Sequence, residues 1–121
     1  MNTESTNATV PSQTNMTNII QAADLSELQK HAGEAANLLK QLGNQNRLMI
    51  MCALIGHELS VGELNEMTDL SQSALSQHLA SLRKANLVST RREAQTIFYS
   101  LRGDEAIQVI GVLKAIYCPE L

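Results

Sequence analysis

Between Ser60 and Arg83 the sequence starts a helix, stops it and starts another within a few residues, and no other feature constrains the fold as strongly. Ser60 and Glu63 have the spacing at which the two side chains cap a helix reciprocally, and Val61, Leu64 and Met67 give that short helix an apolar side. Thr68-Asp69-Leu70-Ser71 then turns the chain, with Ser71 placed to cap the next helix. Two short helices joined this tightly form a helix-turn-helix unit. In the second helix Ala74, Leu75, Leu79 and Leu82 face inward, which leaves Gln72, Ser73, Ser76, Gln77, Ala80 and Arg83 on the open face.

That open face is short, polar and nearly uncharged, where a merely solvated helix carries Glu and Lys. Gln and Ser both donate and accept hydrogen bonds, and their small size lets a helix lie close to base edges in a major groove. The segments Val88 to Arg92 and Thr96 to Leu101 follow, short and β-prone, around a tip of Arg92-Glu93-Ala94-Gln95, and they read as a hairpin. From Ser71 to Arg102 the basic residues Arg83, Lys84, Arg91, Arg92 and Arg102 face the single acid Glu93, although the whole chain has a net charge of −3. Salt screens exposed charges beyond roughly 10 Å, so a basic face on an acidic protein still attracts phosphate. A small-polar helix and a basic hairpin together are the sequence form of a winged helix-turn-helix that binds double-stranded DNA. The expected contacts are Ser71, Gln72, Ser73, Ser76, Gln77, Arg83, Arg91, Arg92 and Gln95, with the arginines on the backbone. For His78 two readings stand equally, a contact to phosphate or bases and packing beside Leu75 and Leu82.

The rest of the chain is arranged behind that unit. Residues 1–22, rich in Asn, Thr and Ser, have too few apolar side chains to order themselves and read as a polar tail, which leaves 23–121 as one domain. A helix from Asp24 to Leu42 carries Leu25, Leu28, Ala32, Ala35, Leu38, Leu39 and Leu42 at helical spacing, and Gly43 closes it. A second, from Asn44 or Gln45 to Ile55, aligns Leu48, Met51, Cys52 and Ile55. Aromatics make up only 2% of the chain, so its core is built from aliphatic residues and Met, which favours a mainly α fold with the hairpin as its small β part. The last helix, from near Asp104, includes Ile107, Val109, Ile110, Val112, Leu113, Ile116 and Tyr117. It is too apolar around its circumference for one wet side, and with the first helix it reads as the interface of a homodimer. A two-fold dimer sets two recognition helices about 34 to 36 Å apart and so demands an imperfect palindrome in the DNA. No apolar run approaches the roughly 20 residues that cross a bilayer, and the first residues lack a secretory pattern, so the expected setting is the cytosol, with no membrane partner.

From Leu25 to Cys118 the chain resembles the ArsR/SmtB family of dimeric bacterial winged-helix repressors, and within it the thiol-switch branch of BigR, SqrR and HlyU. The residues that carry the resemblance are Glu58-Leu-Ser-Val-Gly-Glu-Leu64, Leu70-Ser-Gln-Ser-Ala-Leu-Ser-Gln-His-Leu79, Arg92-Glu-Ala-Gln-Thr96 with Phe98-Tyr99, and Tyr117-Cys118. Metal-sensing members carry a Cys-Val-Cys unit where this chain has Ser60-Val61-Gly62, and others place His and Asp ligands along the last helix. Neither set is present, so the expectation is no metal and no cofactor.

Two cysteines remain, Cys52 and Cys118. By spacing alone Cys52 reads as a small hydrophobe on an apolar stripe, and Cys118 as an incidental residue before Pro119. The resemblance implies instead that the two are a redox switch, joined by a disulfide or polysulfide bridge when reactive sulfur species or oxidants act as inducer. It also implies that the bridge lowers the affinity of the repressor for its operator. A metal- or haem-responsive regulator is the alternative; a thiol enzyme is weaker still, because no base stands beside either cysteine in the sequence and no Cys-X-X-Cys pair occurs.

Overall fold

A computed structural model of the chain describes residues 22–120. They form α1 (Ala22–Gln29), α2 (Ala32–Leu42), α3 (Gln45–Leu54), β1 (Leu59–Ser60), α4 (Val61–Met67), α5 (Gln72–Lys84), β2 (Val88–Glu93), β3 (Thr96–Leu101) and α6 (Glu105–Tyr117). The expected tail over 1–22 lies outside the described residues except for Ala22, which is the first residue of α1. The chain divides into two compact units, one reaching to Ala36 and the other beginning at Asn37.

The single helix expected from Asp24 to Leu42 is two. Lys30 N donates to Glu27 O at 3.2 Å and His31 N to Leu28 O at 3.0 Å, and these three-residue bonds tighten the backbone and end α1. Helical spacing resumes where Ala35 N donates to His31 O. The break falls among Lys30, His31 and Gly33, and His and Gly are poorer helix formers than the alanines around them. Apolar periodicity continues straight through a single tight turn, so it does not reveal the break.

The second unit holds the core. Gly43 follows α2 at a close approach, since a Cβ there would lie 3.1 Å from the carbonyl oxygen of Leu39. Arg47 then donates from Nε and Nη2 to the carbonyls of Gln41 and Lys40, both at 3.1 Å, and so satisfies part of the open end of α2. Asn44 caps α3 through Oδ1, which accepts from Arg47 N at 3.0 Å. Ile50, Met51, Leu54, Leu64, Leu75, Leu79 and Leu82 are fully buried, and Leu42, Val88, Ala106 and Ile110 complete the cluster. Each full burial of such a side chain contributes roughly 1.5–3 kcal/mol. As composition requires, no aromatic ring is among them. The buried stripe of α3 is Ile50, Met51 and Leu54, not the expected Leu48, Cys52 and Ile55, which are half-buried; Met67, expected on the apolar side of α4, is exposed.

The hairpin is part of a three-stranded antiparallel sheet in the order β1-β3-β2. Leu59 pairs with Tyr99 and Ser60 with Phe98 on one side of β3, while Thr90 and Arg91 pair with the same two residues on the other. The short β1 therefore fixes the hairpin to the chain that enters α4. The result is the winged helix-turn-helix fold expected, mainly α with a small sheet as its wing.

Candidate nucleic-acid interface

Side-chain hydrogen bonds cap α4 at its start and hold the turn between α4 and α5. Ser60 Oγ accepts from Glu63 N at 3.1 Å while Ser60 N donates to Glu63 Oε1 at 2.8 Å, which is the complete capping box. Thr68 Oγ1 donates to Leu64 O at 3.0 Å and Asn65 Nδ2 to Leu70 O at 2.8 Å, so the turn is tied back onto α4. Ser71 Oγ accepts from Ala74 N at 3.2 Å and caps α5. Leu75, Leu79 and Leu82 anchor α5 in the core, and the opposite face is presented whole: Gln72, Ser73, Ser76, Gln77, Ala80 and Arg83 are all exposed. His78 is half-buried between the two faces.

The far end of α5 was not anticipated from sequence. Asn86 adopts φ +63°, Asn86 N donates to Arg83 O and Leu87 N to Leu82 O, both at 3.0 Å. This is a Schellman ending with asparagine in the left-handed position usually taken by glycine, and the Asn after a basic last turn was its sequence cue. Arg83, Lys84, Asn86 and Tyr99, with Ser76 and Ala80, line an open cleft of about 500 Å³ between recognition helix and sheet. Lys84, Asn86 and Tyr99 thus join the candidate surface as residues that periodicity alone did not select.

At the hairpin tip Ala94 and Gln95 make the reversal, narrower than the four residues expected, and Ala94 is held at φ +56°. Arg92 and Gln95 are exposed there. Arg91 is engaged: Nε lies 3.1 Å from both carboxylate oxygens of Glu58, Nη2 lies 2.8 Å from Oε1, and the guanidinium carbon sits 4.8 Å from the centre of the Phe98 ring. Hydrogen bonding to Arg91 holds the Glu58 carboxyl below the usual range and, reciprocally, raises Arg91. No sequence signal marks this pair, whose members are 33 residues apart.

Both cysteines are free thiols. Cys52 is half-buried on α3 beside the core, and burial pushes its thiol up from the ordinary value of 9.0. Cys118 is exposed at the end of α6, where its N–H closes the helix on Lys114 O at 2.7 Å. α3 packs against α6. Among the described residues no three His, Cys, Asp or Glu side chains come together as a metal would require. His57 is exposed, and exposed His31 meets Glu34 at 3.3 Å. No described helix is long and apolar enough to cross a membrane.

The chain is similar to known regulatory proteins in sequence and in fold. The family model described as "Bacterial regulatory protein, arsR family" matches residues 44–90, from the cap of α3 into β2. The transcriptional activator HlyU of Vibrio cholerae is 52% identical over 95 residues, covering 78% of this chain and 88% of that protein. A biofilm growth-associated repressor of Agrobacterium fabrum is 49% identical over 94 residues, 78% of this chain and 80% of its own length. The crystal structure of the transcriptional repressor BigR from Xylella fastidiosa superposes with a TM-score of 0.72 at 43% identity, over 77% of this chain and 95% of that one.

Proposed function

This chain belongs to the arsR family of bacterial regulatory proteins, a family of DNA-binding transcriptional regulators and not of enzymes, and on that premise we propose that it is a homodimeric repressor whose operator affinity falls when Cys52 and Cys118 become linked. Gln72, Ser73, Ser76 and Gln77 read base edges, with Ser71 and His78 beside them, while Arg83, Arg92 and Gln95 lie on the backbone of an imperfect palindrome. The uninterrupted exposed face of α5, with the basic cleft and the wing beside it, is the observation that carries this reading.

The switch is supported by two free thiols, one on α3 and one at the residue that ends α6, by the packing of those two helices, and by the likeness to BigR and HlyU. The exposed Cys118 thiolate attacks a sulfane sulfur of a polysulfide; that S–S bond breaks, the shortened polysulfide leaves with the electron pair, and Cys118 becomes a persulfide. The Cys52 thiolate then attacks Cys118 Sγ, hydrosulfide leaves, and a disulfide remains; when Cys52 has also taken up sulfur, a longer bridge results. Either bridge ties the helix behind the helix-turn-helix unit to the end of α6 and so changes the spacing of two recognition helices that must engage together.

Operator binding measured before and after polysulfide treatment, with intact-mass analysis, tests this. The wild type should lose affinity and shift to a bridged mass, and Cys52→Ser should do neither. Release from DNA that persists in Cys52→Ser, or release without a bridged mass, rejects the dithiol switch.

A further inference from the structure

Arg91 and Arg92 are adjacent in sequence, but successive residues of a strand face opposite sides of the sheet. Arg92 pairs across the hairpin with Ile97 and has no ion pair among the described residues. Arg91 pairs with Phe98 and is bound on three sides, by the Phe98 ring, by the fork to Glu58 and by Glu93 Oε2 at 3.8 Å. One guanidinium between two carboxylates is a cluster of net charge −1, which repels a phosphate rather than attracting it.

The position of Glu58 gives the cluster its meaning. Glu58 directly precedes β1, β1 leads through the cap Ser60 into α4, and β1 and β2 are not neighbours because β3 runs between them. The Glu58–Arg91 fork therefore crosses over β3 and fastens the outer strand of the wing to the start of the helix-turn-helix. We propose that Arg91 is a positioning residue, clasped by Glu58 to fix the angle of the wing against α4 and α5, and that Arg92 is the wing's electrostatic contact to DNA. This rests on the hairpin being the DNA-contacting wing. The pair is solvent-exposed, so it adds little to global stability. Its effect is orientational, and a bidentate fork has a geometry that a lone ammonium cannot reproduce.

Operator affinity against salt concentration separates the two roles. Arg92→Ala should flatten the salt dependence by about 0.9 per half-site, one phosphate contact. Arg91→Ala should keep the wild-type slope and lower affinity about three- to fivefold at every salt concentration. Arg91→Lys should show the same loss, and Glu58→Gln should also weaken binding although it removes a negative charge. The double variant Glu58→Gln/Arg91→Ala should be no worse than either single change. A slope that flattens in Arg91→Ala as it does in Arg92→Ala, or tighter binding by Glu58→Gln, overturns the proposal and leaves the wing at the DNA. Unchanged slopes and affinities in both arginine variants overturn it together with the wing reading.

Discussion

At the scale of single residues, two thiols of the same kind are separated by their surroundings. Burial penalises the charged form of Cys52 and raises its pKa above 9.0, whereas Cys118 is exposed at a helix end. Because the thiolate is the nucleophile and the reagent must reach it, half-buried Cys52 should react more slowly near neutrality than exposed Cys118. Alkylation by iodoacetamide, followed by peptide mass mapping, should label Cys118 first at pH 7.5. The labelling rate of Cys52 should still be rising past pH 9.0, because its thiol is pushed up from that value. The linkage has a definite sign: a folded-state pKa raised above the unfolded value means that the neutral thiol favours the fold, so this contribution is present below the unfolded pKa and is lost as pH rises through the folded one. Equal labelling rates at pH 7.5 would contradict the assigned order, in which Cys118 reacts first and Cys52 closes the bridge. The difference in burial was legible in the sequence, where Cys52 falls on an apolar stripe and Cys118 stands before Pro119, whereas the order of reaction that follows from it was not.

At the scale of elements the sequence was most informative where side chains bond to backbone nearby. The caps at Ser60 and Ser71, the reciprocal Glu63 and the inward set Leu75, Leu79 and Leu82 all follow from spacing, because capping and helix periodicity are local. The misses have the opposite character. The break between α1 and α2, the αL asparagine at Asn86 and the third strand depend on single backbone angles or distant partners, which periodicity does not register. Within the candidate site the exposed face of α5 was legible, and the Glu58–Arg91 clasp was not. Cap and readout should also separate by experiment. Ser60→Ala removes the hydroxyl that accepts from Glu63 N and should cost about 1 kcal/mol in chemical denaturation, with the order of preference among operator variants unchanged. Gln72→Ala, on an exposed position past the cap, should leave the denaturation midpoint in place and alter that order instead. If both variants change only stability, α5 is not the reading helix.

For the molecule as a whole, the unit from Asn37 onward buries its aliphatic core and still leaves large apolar side chains on α6 in water. Val112 is 58% exposed, Ile116 61% and Tyr117 77%, and the first two lie one helical turn apart on one face. Apolar residues scattered singly on a surface need no explanation, but three grouped at one end of a helix that carries few charges form a patch, and patches of this kind mark interfaces. In the proposed dimer these side chains would belong to the interface expected on α6. A second copy related by a two-fold axis would cover the patch and present two α5 helices to one face of DNA. Cys118, next to Tyr117, would then lie at the edge of that interface, where a bridge to α3 reaches both half-sites. Ile116→Glu places a charge in the patch without touching the buried set, so the monomer should stay folded by circular dichroism while sedimentation shows half the wild-type mass. Binding to a full palindrome should fall about a hundredfold or more, because the second half-site no longer benefits from the first. Binding to an isolated half-site should hardly change. A variant that sediments as the wild type does and keeps full operator affinity would remove α6 from the interface, and with it the route by which a bridge at Cys118 could reach the second recognition helix.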